Sequence, residues 1–258
     1  MDRPVVQGCL PKEMLENRPL PGIAPLGADD WIMVDDAYAG QMAERRARIA
    51  DDRPRVMMRD PAAEDALAEC LDMALAVMAR RPDLGFVRDG DAVICPDGAR
   101  IVMGDPLQTL ARLLQEDLCI LQKRGEEHVL TAAALCFPAS WSLAEKFMRP
   151  LSDIHVPVQE YDADIARRVQ RLFDGVRAGR PLWRFNRLWY HDPALFQPRS
   201  ANDRRVAPPS GQAGYLRSER QCILRLPDSD AVLFSIHTFV VPRMNLPAGF
   251  STDGPSVA

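Results

Sequence analysis

The chain is expected to fold as α+β, with helices early and a mostly antiparallel sheet after them, on three observations. Apolar residues fall at helical spacing within 35–80. Strand-length apolar runs then come in pairs joined by short turns, at 118–122 with 129–137 and at 215–226 with 231–241. No internal repeat or low-complexity linker divides the sequence, so one domain is expected over 35–245, after an irregular lead-in at 1–34 and before a disordered tail at 246–258.

The lead-in is rich in Pro and Gly and is expected to wrap the surface. Helix begins near Asp35, carries Met42, Arg45, Arg46 and Ile49, and stops at Pro54. A second helix, about Pro61 to Arg80, presents Leu67, Leu71, Leu75 and Met78 on an apolar face, where the methionines read as core filler. Turn signals at Gly90-Asp91 and Pro96-Asp97-Gly98 bracket a short hairpin around Ala92–Cys95. A third helix runs from Asp105-Pro106 to about Leu114, with Asp as N-cap and Pro in first position. The strand pair 118–122 and 129–137 has a charged tip at 123–127, and His128 beside that tip reads as solvated.

The segment from Cys136 to Tyr161 concentrates the unusual chemistry. A strand should end at Phe137-Pro138 and a short helix should start near Ser140, with Glu145 in its second turn. His155 then sits in Ile-His-Val-Pro-Val, where Pro157 stiffens and extends the backbone. A stiff, apolar-flanked histidine is a metal-ligand candidate, against the alternative of a hydrogen-bonded core residue. Next, Asp162 caps an amphipathic helix with Ile165, Val169, Leu172, Phe173 and Val176 inward and Arg167, Arg168 and Arg171 on a solvated face. Residues 181–190 form an aromatic-rich strand, and 197–214 a long loop.

The last hairpin, Tyr215 to Leu226 and Ala231 to Val241 around Pro227-Asp228-Ser229-Asp230, is the clearest β-signal. Alternation puts Arg217, Glu219 and Gln221 on one face of its first strand and Arg220, Cys222 and Leu224 on the other. Leu233, Ser235, His237 and Phe239 share a face of the second. His237 is the rival metal ligand, with a distal polar group and a satisfied core residue as its alternatives. So many charges inside one strand are costly unless paired or exposed, and a surface ladder or structural ion pair is the plain alternative to a site.

Composition narrows the function. With 47% hydrophobic and 26% charged residues the chain is neither disordered nor a membrane protein. It has no run of 18 apolar residues and starts Met-Asp-Arg-Pro, so a cytoplasmic protein is expected. A net charge of −4 argues against nucleic acid as a partner. The cysteines at 9, 70, 95, 119, 136 and 222 include no Cys-x-x-Cys and no zinc spacing, and read as reduced core thiols, an axial thiolate at Cys136 being the alternative. Phosphate-binding glycine loops and iron–sulfur cysteine spacings are missing.

Trp141-Ser142-Leu143, Glu145-Lys146, Pro150-Leu151 and Ile154-His155-Val156-Pro157-Val158 together resemble the haem-dependent oxidative N-demethylase α-subunit family. Asp30-Trp31, Asp35-Asp36 with Tyr38, Gln115-Glu116-Asp117-Leu118, Arg184 with Asn186, Arg217 to Gln221, and Phe234, Ile236 and Thr238 are similar to that family too, in its order and over about 20–245. The resemblance implies a PAS-like antiparallel sheet with added N-terminal helices, holding b-type haem on its concave face. It implies oxidation of a small secondary amine such as dimethylamine by O2, with release of formaldehyde. Electrons would come from a separate reductase subunit carrying flavin and an iron–sulfur centre and drawing on NADPH.

On that resemblance His155 is the axial ligand, Glu219 holds the ammonium group, and Arg217 or Arg220 contacts a haem propionate or polarises oxygen, with Arg184 and Asn186 adding polar contacts. His237 joins Glu219 and Arg217 as the catalytic set. Three positions depart from the family pattern: Met148, where glycine is usual; Arg187, where Trp usually follows Asn; and His237, where arginine is more common. A non-enzymatic haem or small-ligand sensor on the same sheet is the alternative function, and the departures favour a structural protein without its cofactor.

Overall fold

A computed structural model describes residues 4–16, 22–154, 163–200, 203, 208 and 212–250, with side chains described from 167 onward in the helix that starts at 163. The helices are α1 (Lys12–Leu15), α2 (Tyr38–Asp51), α3 (Arg53–Val56), α4 (Glu64–Arg80), α5 (Pro106–Leu113), α6 (Leu143–Lys146), α7 (Leu151–Ile154) and α8 (Ala163–Gly175). The strands are β1 (Ala24–Pro25), β2 (Met57–Arg59), β3 (Val87–Asp89), β4 (Ala92–Ile94), β5 (Arg100–Val102), β6 (Asp117–Arg124), β7 (Glu127–Ala134), β8 (Leu182–Tyr190), β9 (Tyr215–Arg225) and β10 (Val232–Pro242). The fold is α+β, with a large antiparallel sheet in the order β1-β8-β9-β10-β6-β7-β2 and a small one in the order β3-β4-β5. No helix among the described residues is long and apolar enough to cross a membrane.

Local chemistry sets the element ends. The Asp60 carboxylate accepts from Ala62 N ahead of α4, and the Asp105 carboxylate accepts from Gln108 N at the start of α5, each followed by proline at the first position. The turn between β9 and β10 is held from outside, because Asp228 N and Ser229 N donate to the two oxygens of Glu69 on α4 at 2.7 and 2.9 Å. Strand β7 stops at Ala134, three residues before the expected Phe137. The cause is Asp117, whose two oxygens take the amides of Cys136 and Phe137 at 2.7 and 2.9 Å and so lead the chain out of the ladder.

Register fixes the two faces of the large sheet. Glu219 lies across from Asn186 and Thr238, Gln221 from Arg184 and Ile236, and Arg217 from Leu188 and Val240. Directly opposed residues share a face, so these form the first face. The second carries Arg220 across from Phe185 and His237, and Cys222 across from Trp183 and Ser235. Helices α6 to α8 cover the apolar half of the first face, where Leu143, Leu151, Phe173 and Val176 pack on Cys119, Leu121, Ala133, Ile223 and Val232. The N-terminal helices α2, α4 and α5 join the core cluster that contains Leu118, Ile120, Cys222, Leu224 and Leu233 of the second face.

Two expectations are corrected. The lead-in is part of the core: Met14 and Trp31 are fully buried, and Gln7 extends the edge of β10 through Gln7 N to Val240 O at 2.9 Å and Val240 N to Gln7 Oε1 at 2.7 Å. His128 is buried, although it sits near a charged tip, because α8 lays Gln170 and Phe173 over it. At the C-terminus Leu246 and Phe250 pack with Trp189, and 251–258 lie outside the described residues.

Candidate functional site

The middle of strand β9 places a carboxylate on the first face where burial leaves it little water. Glu219 is 9% exposed. Asn186 grips it twice, donating Nδ2 to Glu219 Oε2 at 3.0 Å and accepting Glu219 N on Oδ1 at 2.9 Å. The second contact orients the amide, so the first is a true N–H donor. Gln221 Nε2 donates to the same Oε2 at 3.0 Å. Among the described residues no cation forms an ion pair with Glu219, and Oε1 accepts no hydrogen bond. One oxygen is therefore fixed, and the other is left for something else.

Around it stand groups with unmet hydrogen-bonding capacity. Arg184 lies across from Gln221, diagonal to Glu219 on the same face, and its buried Nε has no partner. Burial pushes its guanidinium below the ordinary arginine range, and the nearby Glu219 charge only partly opposes this. Thr238, directly across from Glu219, has a buried Oγ1 without a partner. Side chains of β8 from Leu182 to Trp189 are only partly buried, although β8 is an inner strand of the sheet, so this wall is more open than β9 beside it.

His237 stands on the second face in a closed ionic cluster. Its Nδ1 meets Glu116 Oε1 and its Nε2 meets Asp35 Oδ2, each at 3.0 Å, with the ring fully buried. Burial alone would lower the imidazole pKa, but the hydrogen bonds to Asp35 and Glu116 outweigh it and raise the value to about 9. Both ring nitrogens donate, so His237 is an imidazolium with no lone pair for a metal in this arrangement. Met33 N also donates to Glu116 Oε1 at 2.8 Å, and Asp35 accepts from Gln115 and Gln7. The cluster thus ties the lead-in and the chain before β6 to the centre of β10.

The remaining sequence candidates are dispersed. Arg217 is on the Glu219 face, but its guanidinium donates to the carbonyls of Ala194, Leu195 and Phe137 at 3.3, 3.0 and 2.7 Å. Those bonds fasten the loop after β8 to the exit of β7. Arg220 is on the opposite face, with Nη2 on Asp30 O at 2.6 Å and its guanidinium over Trp183, so it does not share a pocket wall with Glu219. Cys136 is fully buried and burial pushes its thiol up to about 12. Lys146 is 6% exposed and donates Nζ to Ile154 O at 2.5 Å. His155 lies outside the described residues, as do Val156 to Asp162.

Sequence reasoning missed the roles of Gln221 and Thr238 at Glu219, and of Asp35 and Glu116 at His237. The signal was present in Glu116: an acidic side chain just before an apolar strand needs a buried partner, and a mid-strand histidine is one.

The chain is thus α+β, with a carboxylate held by two amides and paired with no described cation on one face of its antiparallel sheet. The family model "Haem-dependent oxidative N-demethylase, alpha subunit-like" matches residues 22–250, nearly the whole described sequence. The chain belongs to this family. Its name carries haem dependence, an oxidative reaction and a partner subunit.

Proposed function

We propose that this chain is the haem-carrying subunit of an oxidative N-demethylase, in which Glu219 holds the protonated amine. The observation that carries the reading is the Glu219 carboxylate itself, buried in mid-sheet, oriented by Asn186 and Gln221, and in ion-pair contact with no described cation, Arg184 standing near it without touching. Burying an anion that way is costly unless a cation arrives to meet it, and a protonated amine is such a cation. The order of the five long strands supports a PAS-like sheet: numbered along the chain they lie second, first, fifth, fourth, third, with α6 to α8 crossing one face between the second and third.

The residues fit a haem in chemistry. A porphyrin is a flat apolar ring, and the partly buried wall of β8 offers Leu188 on the Glu219 face, with Leu182 at the border of the cluster that α6 to α8 cover. Its iron needs one neutral nitrogen donor. His237 is doubly bound, and His128 Nδ1 accepts from Gln170 Nε2 at 2.8 Å, which leaves the proton of that ring on Nε2. The Gln170 amide is oriented by His128 N, which donates to its Oε1 at 3.2 Å. His191 is exposed just beyond the end of β8. His155, two positions before Pro157 in the sequence, is the imidazole we assign to the iron. Haem iron, when bound, supplies the oxidising power, with O2 as oxidant.

The chain's own work is orientation and electrostatics. Glu219 fixes the amine nitrogen and keeps it protonated, Asn186 and Gln221 fix Glu219, and the imidazolium at His237 locks β10 from behind. In the net change an N–CH3 bond of the amine is broken, and the methyl carbon leaves as formaldehyde. One oxygen atom of O2 enters formaldehyde and the other becomes water. The two electrons and two protons required come from a reductase subunit, carrying flavin and an iron–sulfur centre and fed by NADPH. Dimethylamine would give methylamine.

The test is an amine titration of the purified, haem-loaded protein followed in the visible spectrum. Amine-dependent spectral change that Glu219→Gln abolishes, together with formaldehyde release when a reductase is added, is the expected result. Gas binding with no response to amine would instead assign the chain to the sensor class.

A further inference from the structure

Arg184 and Glu219 are opposite charges on one sheet face that do not pair with each other. Glu219 gives Oε2 to two amides, and Arg184 keeps an unpartnered buried Nε. Cross-strand register places them as diagonal neighbours, since Arg184 opposes Gln221 and Asn186 opposes Glu219. Such neighbours have backbones about 7–8 Å apart, so both long side chains can reach one small ligand on this face, its ammonium donating to Glu219 Oε1 and its carboxylate accepting from Arg184.

A plain dialkylamine would satisfy Glu219 and leave the half-buried guanidinium with its buried Nε unmet and no anion hydrogen-bonded to it. Arginine's planar fork suits a carboxylate, and its charge persists even with burial pulling its pKa down. Resting on the amine-binding reading of Glu219, we propose that the site takes a zwitterion, an N-methylated amino acid with its ammonium on Glu219 and its carboxylate on Arg184. Arg184 is then a substrate-binding residue that sets specificity, in place of the cofactor contact that the sequence suggested. The same atom balance holds for such a substrate, with N,N-dimethylglycine giving N-methylglycine and formaldehyde.

The experiment is calorimetric titration of the haem-loaded protein with N,N-dimethylglycine and with dimethylamine, alongside haem quantitation of each preparation. The expected result is that N,N-dimethylglycine binds about 10- to 100-fold tighter, the worth of one charged hydrogen-bonded contact. Arg184→Gln should bring the two ligands to similar affinity and retain its haem. Equal or tighter binding of dimethylamine to the wild type, with Glu219→Gln abolishing it, overturns the zwitterion and leaves the amine reading standing. Loss of haem from Arg184→Gln overturns it as well, because Arg184 would then serve the cofactor. If neither ligand binds in a Glu219-dependent way, both readings fail. The wild-type comparison needs no variant and decides the proposal even if Arg184→Gln does not fold.

Discussion

The cluster at His237 makes stability depend on pH in a direction that a buried neutral histidine would reverse. In the unfolded chain a histidine titrates near 6.5. In the folded protein the hydrogen bonds to Asp35 and Glu116 hold the value at about 9, against the downward pull of burial. Between those limits the native state binds one more proton than the unfolded state, so unfolding free energy falls as pH rises. The contribution is complete below about pH 6.5 and falls by about 1.4 kcal/mol for each pH unit above it, roughly 3 kcal/mol by pH 9. On the acid side burial pulls Asp35 upward, but the bond and charge of His237 together with the amides of Gln115 and Gln7 hold it below its ordinary range, and its share is lost as pH falls through that lowered value. Urea unfolding at intervals from pH 7 to 8 reads the slope, above the range where the lowered His128 value opposes it and below the ordinary thiol value of about 8.5, and the difference between wild type and His237→Gln isolates the His237 share. His237→Gln should flatten it and cost about 3–5 kcal/mol at pH 6, since it removes the cation from buried Glu116 and half-buried Asp35. A flat wild-type profile, or stability that rises over this range, would refute the assigned charge; NMR titration of the His237 ring reads that charge without a variant.

Other outcomes follow from the same contacts. Met148 has φ of +60°, a conformation that suits glycine, and Met148→Gly should stabilise the protein by about 0.5–1 kcal/mol, the relief of left-handed strain less glycine's extra unfolded-state entropy. Thermal unfolding checks the sign. Arg217→Met strands three carbonyls at the β7 exit and the loop after β8, and should cost about 2–4 kcal/mol in denaturant unfolding; a change in amine affinity with stability intact would return Arg217 to the binding set. Lys146→Met removes the anchor on Ile154 O, one residue before His155, and should loosen haem retention more than it lowers the melting temperature, measured by the rate of haem transfer to a scavenging apoprotein.

Much of the fold is legible in local chemistry. The hairpin of β9 and β10, the helices α2, α4 and α5, and the capping Asp105 are written in periodicity and turn residues, which act over a few positions. The opposite faces of Glu219 and Arg220 are also fixed by the period of two, and grouping both at one pocket overrode that parity. What local pattern does not contain is long-range pairing. Gln7 beside Val240, Glu116 and Asp35 around His237, and Gln170 over His128 join segments far apart in sequence, so a Pro- and Gly-rich lead-in reads as surface and a histidine near a charged tip reads as solvated. Met148 is instructive in the other direction. Glycine being usual there implied a special backbone, and the positive φ is that backbone.

The visible spectrum of the freshly purified protein, beside those of His155→Ala and His237→Gln, tests the central assignment most directly. A Soret band in the wild type and in His237→Gln, lost or grossly altered in His155→Ala, is the predicted result. A wild type that stays colourless after hemin is added, or a band that only the His237 substitution removes, would contradict it.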